Sequence, residues 1–334
     1  MITDTPLAPN QLRWGVRLLH RHTIAWMLVP GSVWFVAGLY LDGWAHNHGK
    51  VDNTFFTPWH AVFYSGYMVM ACTLIAIVFF AQRYGLTWQH ALPSALRHAV
   101  VAAPVFALAG VGDLWWHTTF GFETGIEPLL SPPHLVLASS MFFLVAAGAR
   151  LDDTTHVGWQ RTPYIISTLA AWAVVTFMWQ FNHPYGIVWP ETLRGGAPGI
   201  MTGIAGLVAN STLTAVVAIY MLTRNMPYGA LSIVLVVNAL GIALMGDEYR
   251  FGWSALCTGV VSEILRWWWR HTPLHTQIRR HAVVVAVATS ASYMAVIYAT
   301  TVILWPVHIW LGAVVLAGVA SWAVTIIIVP PTYE

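Results

Sequence analysis

Apolar segments of about 20 residues recur along the 334-residue chain, separated by polar stretches that contain Pro or Gly. This is the length that crosses a bilayer as an α-helix, and the short alternating segments of a transmembrane β-barrel are not seen. The pattern predicts an all-α, polytopic integral membrane protein of about ten transmembrane helices. The predicted helices cover residues 24–46, 58–81, 96–117, 132–149, 163–183, 198–222, 229–246, 252–270, 282–304 and 307–329.

The composition agrees with a lipid environment, because 57% of the residues are hydrophobic and only 8% are charged, against roughly 25% charged residues in soluble domains. No connecting segment is long enough to form a soluble domain. We therefore predict one membrane domain over 1–334, with a first helical hairpin at 24–81, a second at 96–149 and further hairpins at 163–329. A net charge of +2 does not favour nucleic acid. The expected partners are the lipid bilayer, a small or lipophilic substrate and other membrane subunits.

The basic residues predict the orientation in the membrane. Twelve of the 15 Lys and Arg residues fall on the side of the N-terminus when the predicted helices are threaded in order. Cytoplasmic loops carry an excess of Lys and Arg. Both termini are therefore expected in the cytoplasm of a bacterium, with the chain in the inner membrane and the loops 47–57, 118–131 and 184–197 facing outward.

Two stretches of the chain carry the same polar motif in the same topological place. Each has Asp, then Trp two residues on and His four residues on, at the end of one predicted helix. Each continues with Thr or Ser, Pro and a second His at the start of the next helix. The matched pairs are Asp42/Asp113, Trp44/Trp115, His46/His117, Thr57/Ser131, Pro58/Pro132 and His60/His134. We interpret this as the internal duplication of a helical hairpin, of the kind that membrane proteins often carry.

The motif favours a bound cation. Asp and His at positions i and i+4 share one face of a helix. The Asp lies at a helix C-terminus, where the helix dipole is already negative and a carboxylate needs a positive partner. The second His lies near a helix N-terminus, which disfavours imidazolium and leaves the neutral imidazole that binds metal. The predicted metal ligands are Asp42, His46, His60, Asp113, His117 and His134.

Six ligands predict two ions, because a tetrahedral ion takes four ligands, and an octahedral ion bound only by protein would have no open position for chemistry. His48 lies close enough in sequence to add a ligand, and Glu123 and Asp247 are candidate catalytic carboxylates that would move protons. Nitrogen and carboxylate ligands suit copper or iron, with zinc as the alternative. A competing interpretation is a ring of His and Asp side chains that hydrogen-bond each other and cap helix ends.

The Asp-x-x-x-His helix end, followed by a His that opens the next helix, resembles the metal site in the C subunit of copper membrane monooxygenases, the methane and ammonia oxidisers. The matching residues are Asp42, His46 and His60, and the same motif recurs as Asp113, His117 and His134. The resemblance covers about 50 residues and three ligand positions. The chain departs from the family in the spacing of the two His, which is about one residue longer in the first copy, and in the duplication. The resemblance implies a redox copper site.

Four functions are compatible with such a site, and the last of them is a structural subunit of a larger complex, in which the metal holds hairpins together. The favoured one is a membrane oxidoreductase of monooxygenase type, which would oxidise a small or lipophilic molecule that arrives through the bilayer. The second is a metal-dependent hydrolase, in which the metal lowers the pKa of a bound water and a carboxylate acts as base. The third is a transporter or metal-handling protein, although transport sites usually lie at the membrane midplane rather than at one face. The identity of the metal would separate the first two.

Overall fold

The computed structural model describes residues 20–50, 56–83, 93–121, 127–152, 155–192 and 195–328, and every regular element in these ranges is a helix. Short helical turns at Glu127–Leu130, Ala147–Arg150, Gly158–Arg161, Gln180–Asn182 and Trp189–Glu191 lie between the longer helices. The longer helices are α1 (Arg21–Asn47), α2 (Pro58–Arg83), α3 (Ser94–Phe120), α4 (Pro132–Val145), α5 (Thr162–Met178), α6 (Gly196–Thr223), α7 (Ala230–Gly246), α8 (Phe251–Trp268), α9 (Leu274–Thr300) and α10 (Val307–Ile328).

Each predicted segment overlaps one of these helices, but some ends differ. Helix α5 ends at Met178 and is followed by the turn Gln180–Asn182, whereas the sequence predicted a helix to residue 183. Helix α9 begins at Leu274, eight residues before the predicted start. Its first two turns contain basic and polar residues, so hydropathy alone placed the boundary at the apolar part. Pro273, which precedes α9, is the better signal, since Pro often marks a helix start.

Among the described residues, six helices are long and apolar enough to cross a membrane: α1, α2, α3, α6, α9 and α10. This makes the chain an integral membrane protein. The other four helices have 14, 17, 17 and 18 residues. At 1.5 Å per residue, a 14-residue helix is about 21 Å long, which is less than the roughly 30 Å of a bilayer core.

The described helices group into two compact units divided between Met178 and Trp179. In the first unit α1 packs against α2 and α5, and α3 packs against α4. Its core includes the aromatic rings of Phe35, Phe63 and Phe106, with centroids 5.0–5.8 Å apart. In the second unit α8 packs against α7 and α9, and α9 and α10 pack against each other and against α6. The single membrane domain over 1–334 stays a prediction.

Glycines bring the backbones of α1 and α2 into direct contact. Gly38 on α1 lies against Phe63 on α2, and Gly66 on α2 lies against Phe35 on α1. A Cβ atom on Gly66 would lie 2.6 Å from the Cα atom of Phe35, which is closer than any van der Waals contact. Small residues allow this approach between membrane helices. The contact fixes the C-terminal end of α1 beside the N-terminal end of α2, where the first Asp/His motif lies.

Candidate metal centre

Among the described residues, possible metal ligands lie together in two groups of three side chains, and both groups belong to the first unit. The first triad is Asp42, His46 and His60, and the second triad is Asp113, His117 and His134. In each triad the Asp and the first His come from the last two turns of one helix. The second His is the third residue of the next long helix, which begins with Pro at its first position. The i, i+4 spacing puts the two earlier side chains on one face, as the sequence predicted.

In the first triad both imidazoles face one carboxylate oxygen. The distance from Asp42 Oδ2 is 3.5 Å to His60 Nε2 and 3.9 Å to His46 Nε2. The second oxygen, Asp42 Oδ1, is buried and makes no hydrogen bond to any described residue. The Thr57 hydroxyl accepts a hydrogen bond from the backbone N–H of His60 at 3.1 Å, which fixes the first turn of α2 and the position of the His60 ring.

The second triad has the same arrangement but is more deeply buried. Asp113 Oδ1 lies 3.4 Å from His117 Nε2 and 3.5 Å from His134 Nδ1. The Asp113 and His117 side chains are 3% and 7% exposed, against 17% and 40% for Asp42 and His46, whereas His134 is more exposed than His60. The Ser131 hydroxyl hydrogen-bonds His134 Nδ1 at 2.7 Å. Metal binding through this nitrogen would therefore replace the hydrogen bond to Ser131.

The spacing of the donor atoms is compatible with a bound cation. Distances of 3.4–3.9 Å between imidazole nitrogen and carboxylate oxygen exceed the roughly 2.7–3.2 Å of N–H···O hydrogen bonds. Two ligands at about 2.1 Å from a tetrahedral ion lie about 3.4 Å apart. In each triad one ligand atom from every residue lies within 4.8 Å of the other two. Each triad can therefore hold one ion with small adjustments of side chains.

The two triads interact electrostatically with each other. His46 of the first triad interacts electrostatically with His117 of the second, and His134 interacts with both His60 and His46. Tyr64 on α2 interacts electrostatically with both carboxylates, those of Asp42 and Asp113. Tyr64 is not among the site residues that the sequence predicted. The available signal was its position four residues after His60, which puts both side chains on one face of α2.

A crevice of about 660 Å³ between α2 and α3 reaches the first triad. Its inner wall includes His60 and Tyr64. Its outer rim includes Met68 and Val111, which are largely exposed on the surface that faces lipid. The lining is mostly apolar, and Gly110 on α3 keeps the crevice open beside the Tyr64 ring. An apolar molecule in the bilayer can thus approach an imidazole and a phenol hydroxyl.

The other predicted site residues do not belong to either triad. His48 follows α1, where its ring stacks on Trp44 and its Nδ1 lies 2.8 Å from the Trp44 carbonyl oxygen. Asp247 is an exposed residue of the second unit, and it ends α7 in the left-handed conformation with φ 57°. Glu123 lies outside the described residues. The catalytic roles of Asp247 and Glu123 and the ligand role of His48 stay predictions.

Two further His residues have surroundings that the sequence did not indicate. His183 is fully buried in the second unit and its Nδ1 accepts the backbone N–H of Tyr185 at 3.1 Å. Burial lowers the pKa of His183 to about 3 and raises that of Tyr185 to about 12, so both are neutral at physiological pH. His281, which lies just before the predicted helix 282–304, is 1% exposed. It is buried because α9 starts earlier than hydropathy indicated.

Each triad has an Asp/His/His geometry. The resemblance to copper monooxygenases is confined to this motif. The three positions that carry the resemblance are those of the first triad, and the second triad repeats them. Comparison of the chain with protein-family models, curated protein sequences and solved structures gave no match.

Proposed function

We propose that the two triads bind two metal ions and form the active site of a membrane oxidoreductase that acts on a lipophilic substrate. The observation that carries this proposal is the donor spacing, which is too long for hydrogen bonds and suited to a cation in both triads. The buried oxygen of Asp42, which makes no hydrogen bond to the described residues, supports it. A cation would supply the missing partner.

The donor set supports redox or hydrolytic chemistry rather than a purely structural metal. Each triad offers two imidazoles and one carboxylate, and this set leaves open positions on the ion. It is the ligand set of non-haem iron oxygenases and also of several zinc hydrolases. The resemblance to copper membrane monooxygenases adds copper. We favour copper or iron, and zinc with hydrolysis is the alternative that the metal analysis below would reveal.

The crevice supports a substrate that enters from the bilayer. Its rim is formed by apolar side chains that face lipid, and its inner end presents His60 and Tyr64 beside the first triad. The Tyr64 hydroxyl can hydrogen-bond a polar group of the substrate and orient it toward the ions. The apolar lining excludes water from the same space, which strengthens electrostatic interactions at the site. A small polar substrate would make few favourable contacts with this apolar lining.

We further propose that the α1/α2 and α3/α4 hairpins arose by duplication. Phe35 in the first hairpin and Phe106 in the second precede their Asp residues by seven positions, and their rings contact each other at 5.0 Å. Two matched residues in contact are typical of packing around a pseudo-two-fold axis. The positions that correspond to Gly38 and Gly66 hold Ala109 and Ser140, which are also small.

The topology we propose has ten membrane-crossing helices and both termini in the cytoplasm, because this threading puts most Lys and Arg on one side. In a background in which Cys72 and Cys257 are replaced, we expect Asn53→Cys and Gly125→Cys to react with a membrane-impermeant maleimide in intact cells. Thr155→Cys, the control, should react only after permeabilisation. Labelling of Asn53→Cys and Gly125→Cys only after permeabilisation would reject this orientation.

Metal analysis of the full chain, purified without chelators, tests the proposed function. We expect two ions per chain and an optical band of copper or iron. A variant that carries both His46→Ala and His117→Ala should lose the metal and the band, while His156→Ala should keep both. Two colourless zinc ions would favour the hydrolase. Metal content unchanged in the double variant would support the hydrogen-bonded cap and reject the metal centre.

A further inference from the structure

The second unit contains a line of buried polar side chains that the proposed metal site does not use. Ser254, Thr258 and Ser262 recur every four residues on α8, and each is at most 1% exposed. The i, i+4 spacing puts all three on one face of α8, which packs against α9. Eight residues along a helix span about 12 Å. Away from water, these hydroxyl groups need hydrogen-bond partners within the protein.

These hydroxyls make contacts between helices in addition to bonds within their own. Ser254 Oγ lies 2.9 Å from Ser292 Oγ on α9, and Thr258 Oγ1 lies 3.4 Å from the same atom. Ser290, by contrast, is buried on α9 and donates only to carbonyl groups of its own helix. In membrane helices, a Ser or Thr hydroxyl usually donates its hydrogen bond to a carbonyl group of the same helix. The contacts between α8 and α9 thus join Ser254, Ser292 and Thr258, and Ser262 continues this polar track one helical turn further along the same face of α8.

At one end the track reaches a buried imidazole and an ion pair. Ser262 Oγ lies 2.7 Å from His281 Nε2 on α9, and His281 Nδ1 is buried without a hydrogen bond to any described residue. A space of about 10 Å³ is lined by His281, Glu263 and Arg266. This is about the size that one water molecule needs. Glu263 and Arg266 lie 3.9 Å apart, so the charges at this end balance.

At the other end the track reaches a phenol and a cluster of carboxylates. Ser254 Oγ lies 3.2 Å from the hydroxyl of Tyr185, whose ring lies beside that of Tyr293 at 6.2 Å. Tyr293 interacts electrostatically with Glu191, Glu248 and Arg250. Arg250 binds both carboxylates, at 2.8 Å and 2.9 Å. All three charged side chains are partly exposed to water.

We propose that the second unit conducts protons along this track, between the His281 end and the Tyr185 end. Each hydroxyl accepts a proton from one neighbour and passes its own to the next, so no bond other than O–H and N–H changes and no co-reactant is needed. The step from Thr258 to Ser262 is one helical turn, about 6 Å, which one bridging water spans. The direction follows the electrochemical gradient. This inference is independent of the proposed metal site.

Proton uptake by vesicles that contain the purified full chain tests the proposal. A pH-sensitive dye is enclosed, and a potassium gradient with valinomycin supplies the driving potential. We expect the wild-type chain to admit protons faster than protein-free vesicles. Thr258→Val, which has the same shape but no hydroxyl, should reduce the flux to that of protein-free vesicles. Thr258→Ser keeps the hydroxyl and should keep the flux. Ser290→Ala, the matched control on α9, should also keep it.

Two results would overturn the proposal: a wild-type flux equal to that of protein-free vesicles, or a Thr258→Val flux equal to wild type. The second result would mean that the hydroxyls only join the helices. Should Thr258→Val fail to fold, as judged by size-exclusion profile and thermal unfolding, Ser292→Ala at a half-buried position replaces it. Ser292 contacts both Ser254 and Thr258, so its loss must interrupt the same track.

Discussion

Asp42→Asn and Asp113→Asn should each lower the metal content from two ions to one, and the double variant should contain none. Each Asp is the residue that both imidazoles of its triad face, at 3.4–3.9 Å. Asn has the same shape but no charge, so it cannot compensate a divalent cation at the edge of lipid. Loss of one ligand of three removes most of the affinity of such a site. The measurement is the metal-to-protein ratio by mass spectrometry.

The same variants should differ in how fast a chelator removes the remaining ion. In Asp113→Asn the ion is held by the first triad, where the His46 side chain is 40% exposed. In Asp42→Asn it is held by the second triad, where His117 and Asp113 are buried. We therefore expect chelators to act faster on Asp113→Asn. His156→Ala should contain two ions, as wild type does. Two ions in both single variants would show that the metal binds elsewhere.

The sequence predicted the helical segments because lipid imposes a simple constraint: backbone polar groups must be satisfied within each segment, so long apolar runs form helices. It predicted the two triads for a related reason. The residues of each Asp-x-x-x-His pair are separated by one helical turn, and the second His follows a Pro that fixes where the next helix starts. Both relations are local, and local relations can be read from one chain.

What the sequence did not predict depends on contacts between distant segments. Tyr64 interacts electrostatically with both carboxylates only because α2 lies beside α3. No pattern in the sequence indicates that these two helices are neighbours. His281 lies outside the predicted helix 282–304, since the charged residues before it resemble a loop. The buried hydroxyls of Ser254, Thr258 and Ser262 did have a local signal, their four-residue period within an apolar helix. Ser and Thr are common in membrane helices, so this period alone does not indicate a function.

The contact between α1 and α2 links packing to metal binding, and Gly66→Ala tests this link. A Cβ atom at Gly66 would lie 2.6 Å from the Cα atom and 2.8 Å from the backbone nitrogen of Phe35. Backbone atoms cannot turn aside as a side chain can, so the two helices must separate. An ordinary contact needs about 3.4 Å or more, which requires a displacement of roughly 0.8 Å. Overpacking of this kind usually costs about 1–3 kcal/mol of folding free energy.

The displacement should also remove the ion of the first triad. Asp42 and His46 belong to α1 and His60 belongs to α2, so the contact at Gly66 sets the distance between them. Metal–ligand distances tolerate only about 0.2 Å, much less than the expected displacement. We would measure metal content and thermal unfolding in the Asp113→Asn background, where the first triad alone holds an ion. Gly66→Ala should lower both the metal-to-protein ratio and the unfolding temperature.

Gly112→Ala is the matched control, because a Cβ atom there meets nothing within 4 Å. In a helix Ala is favoured over Gly by about 1 kcal/mol, so Gly112→Ala should retain the ion and unfold at the same or a higher temperature. A Gly66→Ala chain that unfolds earlier but keeps its ion would show that α1 and α2 separate without moving the triad. A chain that changes in neither respect would show that the helices do not touch at Gly66.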